Sequence, residues 1–185
     1  VLISPNIENT GQILAPSSAL VSSYAVLIRP KHQEGVWIEA DDIPSGNPFT
    51  GVMNLEGVVR ADKLVCEDGE ILLKGDKISV AGRLEAPQGS IDLSARMIEI
   101  QKSALIAVSA DAHGDSGDVI VKASEHLNFQ GTIEAKGGSI SGDGGFVELS
   151  GKTLSLKGIA DRTAPNGKAG MLLIDPSDIE IGMSM

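Results

Sequence analysis

The sequence predicts an all-β fold, a solenoid of the right-handed parallel β-helix kind, on three observations. A short phrase recurs with drift along the chain. Its segments alternate apolar and polar residues with period two. Turn-forming residues, 22 Gly and 8 Pro in 185 residues, punctuate the chain every few positions and leave little room for helix. The phrase reads Gly-x-apolar-x-Ala and is clearest at Gly82-Arg83-Leu84-Glu85-Ala86 and Gly131-Thr132-Ile133-Glu134-Ala135. Related copies are Gly57-Val58-Val59-Arg60-Ala61 and Ile106-Ala107-Val108-Ser109-Ala110. Their last alanines, Ala61, Ala86, Ala110 and Ala135, stand about 25 residues apart, a period typical of stacked repeats.

Taken in order, Gly11-Gln12-Ile13-Leu14-Ala15 is a first-strand copy, with Ala19-Leu20-Val21 and Ala25-Val26-Leu27-Ile28 as its partners. Gly35-Val36-Trp37-Ile38-Glu39-Ala40 is a strand of the next coil, its Ala40 falling between Ala15 and Ala61. Residues 41–50, with Pro44, Gly46, Asn47 and Pro48, read as a long loop. Second strands follow at Ile71-Leu72-Leu73, Ile91-Asp92-Leu93, Val119-Ile120-Val121, Val147-Glu148-Leu149 and Met171-Leu172-Leu173. Third strands fall at Ile78-Ser79-Val80, Ile98-Glu99-Ile100, Leu127-Asn128-Phe129, Leu154-Ser155-Leu156 and Ile179-Glu180-Ile181. Alternation over so few residues marks short strands with one buried face. One repeat cannot bury that face alone, so copies must stack. Three strands per coil and about seven coils, at about 4.8 Å each, give a rod roughly 35 Å long. The expectation is one domain, with irregular first coils and extra loops over 1–56 and regular coils over 57–185.

Bulk properties narrow the function. A net charge of −10 opposes the phosphate attraction on which nucleic-acid binding depends, so no nucleic-acid partner is expected. Aromatics are only 3%, which suits a narrow aliphatic interior. Cys66 is the only cysteine, which excludes an intramolecular disulfide and a cysteine-based metal cluster. No apolar run approaches a membrane span, and no signal peptide opens the chain. Both ends, Val1-Leu2-Ile3 and residues 179–185, are apolar and lack the polar caps that a solenoid needs. A longer parent chain is therefore expected, with head-to-tail self-association as the alternative.

No catalytic, cofactor or metal residue is assigned. Asp161-Arg162 and Asp175 with Asp178 could do acid–base chemistry, but aspartate at a corner more simply bonds nearby amides. Residues 137–145 hold one imperfect copy of a calcium-binding nonapeptide, which requires repetition; a flexible corner loop is the simpler expectation. Neither Asp143 nor Glu148 lines up with a comparable acid in a neighbouring repeat. His32, His113 and His126 are dispersed, with no pairing for zinc. Trp37 and Tyr24 could stack on sugars, but packing is the simpler role. Recognition is expected from irregular loops that project from the rod: 29–33 with His32, 41–50 with Asp41, Asp42 and Asn47, 111–116 with His113 and Asp115, and 136–144 with Asp143. Structural roles fall to Gly82, Ala86, Gly131, Ala135, Asp175 and Pro176. Asn54 and Asn128 occupy equivalent repeat positions and should bond inside a corner or along the stack.

The last forty residues carry a further signal. Gly144-Gly145-Phe146-Val147-Glu148-Leu149-Ser150-Gly151 is followed by Ala164-Pro165-Asn166-Gly167 and by Leu172-Leu173-Ile174-Asp175-Pro176-Ser177-Asp178-Ile179-Glu180-Ile181. This run, with Gly11-Gln12-Ile13-Leu14-Ala15-Pro16 and Asn54-Leu55-Glu56-Gly57 earlier, resembles the filamentous-haemagglutinin-like exoproteins of two-partner secretion. Met171 departs from the aromatic often found there, and no complete secretion domain is present. The resemblance implies secretion across the Gram-negative outer membrane through a partner β-barrel, and a place on the bacterial cell surface. It implies an adhesin or a non-catalytic shaft whose partners are host or neighbouring cell surfaces, glycans among them. The alternatives are a polysaccharide-active enzyme on the same fold, the stalk of a contact-dependent toxin system, and a self-stacking filament subunit.

Overall fold

A computed structural model describes residues 2–4, 6–22, 27–30, 36–39, 52–61 and 69–177. Strands β1 (Leu2–Ser4), β2 (Asn6–Asn9), β3 (Gln12–Ala15) and β4 (Ser17–Ser22) come first. They are followed by β5 (Leu27–Pro30), β6 (Val36–Glu39), β7 (Val52–Leu55) and β8 (Val58–Ala61). Long and short strands then alternate: β9 (Glu70–Val80), β10 (Arg83–Glu85), β11 (Ser90–Ile100), β12 (Leu105–Ala107) and β13 (Asp118–Phe129). The series continues with β14 (Thr132–Glu134), β15 (Phe146–Leu156), β16 (Ile159–Asp161) and β17 (Met171–Pro176). The described residues contain no helix.

Two parallel sheets hold nearly all of these strands. The larger runs β1-β4-β9-β11-β13-β15-β17, with β7 also pairing β9 and β2 pairing β7. The smaller runs β3-β8-β10-β12-β14-β16. One aliphatic core joins them. Leu73, Leu93, Val121 and Leu149 lie in register across four strands, and all are buried. Leu84, Ile106 and Ile133 form the matching column of the smaller sheet. β-branched and leucyl side chains stack well on a pleated surface, and each such burial contributes about 1.5–3 kcal/mol.

The expected second and third strands are two limbs of one long strand rather than separate elements. In β11 the core receives Ile91, Leu93 and Ala95, then Ile98 and Ile100. The alternation skips one beat at Arg96 and Met97. Neighbouring strands skip beside it, where Gly75, Ala95, Ala123 and Gly151 are in register. The chain therefore changes its buried face without giving up its ladder.

Three expectations from the sequence shift in register. Ala110 is not the counterpart of Ala86 and Ala135. Leu105–Ala107 pairs with Arg83–Glu85, which brings Val108 into that place. A two-residue slip leaves every side chain on its own face, so alternation cannot detect it. Residues 27–30 and 36–39 do not join the ladders; they pair with each other as an antiparallel hairpin. β3 pairs directly with β8, so no coil anchored at Ala40 stands between Ala15 and Ala61. The third-face strand of that layer is β7, whose Met53 and Leu55 are buried. Ala25, Val26 and Ala40 themselves lie outside the described residues.

The third shift is in β17. Leu172, not Met171, aligns with Val147, and Met171 aligns with Phe146. Met171-Leu172-Leu173-Ile174 is apolar throughout and offers no alternation to choose by. The outcome is consistent with exposure: Met171 is 66% and Leu173 42% exposed, whereas Leu172 packs on the core. In a Cys66→Ser background, Met171→Cys should react with a maleimide many times faster than Leu172→Cys. Equal rates would contradict this register.

Candidate functional site

Two surfaces bring polar side chains together. The first is a stack of three loops that lead from the short strands into the long ones, over residues 108–117, 135–145 and 162–170. They do not project independently. Gly114 N–H donates to the Ser141 carbonyl at 2.9 Å and Ser116 N–H to Asp143 at 2.9 Å. Gly138 N–H donates to Gly114 at 3.1 Å, and Gly144 N–H to Lys168 at 2.9 Å. The residues 137–145 are thus tied on both sides, which corrects the expectation of a flexible corner. Gly114 and Gly142 have φ of +99° and +124°, a region that L side chains avoid.

Within this stack His113, Asp115 and Asp143 come together, although the sequence placed them in separate loops. His113 Nδ1 lies 3.1 Å from Ser141 Oγ. Asp115 Oδ1 accepts from Asp143 N–H at 2.7 Å, and Asp143 Oδ1 accepts from Lys168 N–H at 2.8 Å. Asp143 therefore does stack on an equivalent acid, contrary to the sequence reading. The signal was present: His113-Gly114-Asp115, Ser141-Gly142-Asp143 and Asn166-Gly167-Lys168 recur at 28 and 25 residues. These carboxylates serve loop backbone amides, which is a structural use. Gln88, itself at φ +58°, closes the stack below by donating Nε2 to the His113 carbonyl at 3.2 Å.

The remaining acids are spread out. Asp161 accepts from Thr163 N–H at 3.1 Å and from its hydroxyl at 2.8 Å, and these bonds hold its carboxyl below the usual range. Arg162 turns to the Ala160 carbonyl at 3.4 Å, so Asp161-Arg162 is no acid–base pair. Asp175 is exposed on β17 beside half-buried Pro176, and Asp178 lies outside the described residues. Asp92 and Glu148 share an outward column, two strands apart with Ile120 between. Burial raises the Asp92 carboxyl above its usual 3.8, against the pull of Lys74 and Lys122. A raised acid favours the folded state below its unfolded pKa, and that contribution is lost as pH rises through the folded pKa. Asp92→Asn should therefore match or exceed the parent in stability at pH 7, with the difference shrinking toward pH 3.8. Urea unfolding at several pH values checks this; a variant less stable at pH 7 would contradict it.

The second surface is the outer face of the second limbs of β9, β11 and β13. Lys77, Met97 and His126 form one outward column there. Asn54, Ser79, Glu99 and Asn128 form the next, so Asn54 and Asn128 do occupy equivalent positions. Asn128 Oδ1 accepts from Gln130 Nε2 at 3.2 Å, a bond along its own strand end rather than along the stack. Lys77, Met97, Ile98, Glu99, His126 and Asn128 line a shallow cavity of about 140 Å³.

The cavity owes its shape to an irregularity. β13 carries one extra residue between Ala123 and His126, and its register shifts there against both neighbours. Such bulges re-aim side chains. Arg96 pins this corner across three layers. Its Nε and Nη2 reach the Asp76 carboxylate at 2.8 and 3.0 Å, and its Nη1 reaches Glu125 at 2.7 Å. Reading the sequence strand by strand missed Lys77, Met97 and Glu99, and weighed His126 only as a zinc ligand. Their signal was the alignment of Lys77-Ile78-Ser79, Met97-Ile98-Glu99 and His126-Leu127-Asn128, whose outer positions carry the chemistry.

Ala86 and Ala135 are fully buried. A Cβ on Gly82 would overlap the Gly57 carbonyl, and one on Gly131 would meet the Gln101 and Ala104 carbonyls at 2.7 and 2.8 Å. His32, Asp41, Asp42, Asn47, Tyr24 and Cys66 lie outside the described residues, as does the side chain of Trp37. Among the described residues no three His, Cys, Asp or Glu are placed to hold a metal ion. No protein-family model, curated protein or solved structure matches this chain.

Proposed function

We propose that the chain is a right-handed parallel β-helix of about seven coils, serving as a non-catalytic shaft in a secreted surface adhesin of the filamentous-haemagglutinin-like kind. The observation that carries this reading is the parallel order of both sheets, in which, from β8 onward, the chain alternates between the sheets and every second strand is a neighbour in the same ladder. Such an arrangement is stiff and repetitive and presents long outer faces. The resemblance of residues 144–181 and of residues 11–16 to those exoproteins supports export through a partner barrel and display at the cell surface. Host or neighbouring cells, through their glycans, are the proposed partners.

A polysaccharide-active enzyme is the rival, and Asp92 with Glu148 is the pair that would favour it. Two strand spacings put their backbones about 10 Å apart, near the separation that inverting glycosidases use. Glu148, however, accepts from the Ser150 hydroxyl at 2.7 Å and pairs with Lys122 at 3.3 Å. A panel of cells and purified polysaccharides separates the readings. Retention of the protein without new reducing ends is expected. Release of reducing ends would overturn the non-catalytic reading, and absence of retention would overturn adhesion by this segment.

A further inference from the structure

The cavity on the outer face of β9, β11 and β13 is built for a small polar ligand, and its hydrogen-bonding groups say which kind. His126 Nδ1 is held 2.7 Å from Thr153 Oγ1, which itself lies 3.3 Å from the Glu125 carbonyl, and the other ring nitrogen, Nε2, donates or accepts according to the tautomer. Asn128 is also held by a neighbour. Its Oδ1 accepts from Gln130, which leaves its amide protons to donate. Among the described residues, Lys77 and Glu99 have no ion-pair partner.

The cavity thus offers two donors, Lys77 and Asn128, one acceptor, Glu99, and in His126 a ring nitrogen that serves as either, around the half-buried Met97. An anionic ligand would meet the Glu99 carboxylate, and a cationic one the Lys77 ammonium. Hydroxyl groups both donate and accept, so a neutral polyol satisfies all four without setting a like charge against Lys77 or Glu99. A sugar ring also has an apolar C–H face that can lie on the Met97 thioether. The volume of about 140 Å³ is well below the ~300–1,000 Å³ of pockets that enclose larger ligands and limits the site to one ring. A net charge of −10 further opposes polyanionic glycans.

We infer that this groove, rather than the loop stack, is a binding site for a neutral pyranose residue. Its biological meaning rests on the surface-adhesin reading, but its chemistry does not. The bulge at residues 124–125 and the Arg96 clamp fix the backbone beside the cavity, and Thr153 and Gln130 hold the His126 and Asn128 side chains before any ligand arrives, which lowers the entropy cost of binding.

The test is ligand-observed NMR on the purified chain with methyl glycosides of neutral hexoses, N-acetylhexosamines and hexuronic acids. Saturable binding of a neutral glycoside is expected. Glu99→Gln and Asn128→Ala should each weaken it about tenfold, the loss of one strong hydrogen bond. Asn166→Ala, in the loop stack, should leave it unchanged. Circular dichroism of each variant separates lost contacts from lost fold, and the outward positions of Glu99 and Asn128 make both variants foldable. No saturable binding, binding of uronic acids alone, or loss only in Asn166→Ala would overturn the inference. If glycosides do not bind but cells still retain the protein, the groove falls and the adhesin reading stands. If glycosides bind and polysaccharides are cleaved, the groove stands and the non-catalytic reading falls.

Discussion

Gly117→Ala is expected to destabilise the protein by about 3 kcal/mol or more, although it adds a single methyl group. Gly89, Gly117, Gly145 and Gly170 stand where successive repeats enter the larger sheet. A Cβ on each of the last three would overlap the carbonyl oxygen of the glycine one repeat earlier. For Gly117 the Gly89 carbonyl carbon and nitrogen would also be met, at 2.7 and 2.8 Å. The obstacle is backbone and cannot swing away. The Gly89 carbonyl accepts from Asp118 N–H at 3.0 Å, and Gly117 N–H donates to Val108 at 3.0 Å. Relief would require opening the ladder between β11 and β13. Gly11 is the internal control, because nothing lies within 4 Å of the place its added methyl group would take. Gly11→Ala should change stability by less than about 0.5 kcal/mol. Guanidinium unfolding of the two variants side by side decides the matter, and equal midpoints would show that the repeats do not approach each other so closely.

The second large effect is Leu93→Ala, expected to cost about 3 kcal/mol by leaving a cavity. Leu93 is fully buried and stacked in register between Leu73 and Val121. The column itself, Leu73, Leu93, Val121 and Leu149, contains no aromatic ring or methionine. Ser94, the next residue, faces outward and is half-buried. Ser94→Ala should be nearly neutral. This pair also tests register, because a slip of one residue would exchange the two faces. A neutral Leu93→Ala with a costly Ser94→Ala would show that the assigned face is wrong.

Much of the fold was legible because the side-chain period of a strand is a local property. Ile91, Leu93, Ile98 and Ile100 identify their buried face without reference to any partner. The same holds for Val119, Val121, Leu127 and Phe129. Glycines at the corners were legible for a similar reason, since a tight approach excludes a side chain at Gly82 as at Gly117. Candidate site residues were less legible. His113, Asp115 and Asp143 were singled out as loop residues, and they do gather, but mainly on one another's backbone. Lys77 and Glu99 were unmarked, and His126 was weighed only as a zinc ligand, because each is an ordinary polar residue on an outer strand face. They become a group only when three strands align and the one extra residue of β13 brings His126 into the column of Met97.

What the sequence by itself determined is the strand content, the identity of the aliphatic core positions and the repeat that makes copies stack. Only the tertiary structure decided who pairs with whom. Period-two alternation is unchanged by a two-residue slip, so it could not place Val108 rather than Ala110 beside Ala86. It is equally blind to strand direction, so it could not tell that residues 27–30 and 36–39 pair antiparallel with each other. In β17 the unbroken apolar run removed even the face information. Those choices depend on where connecting loops close and which backbones can meet, and these are properties of the whole stack rather than of any segment.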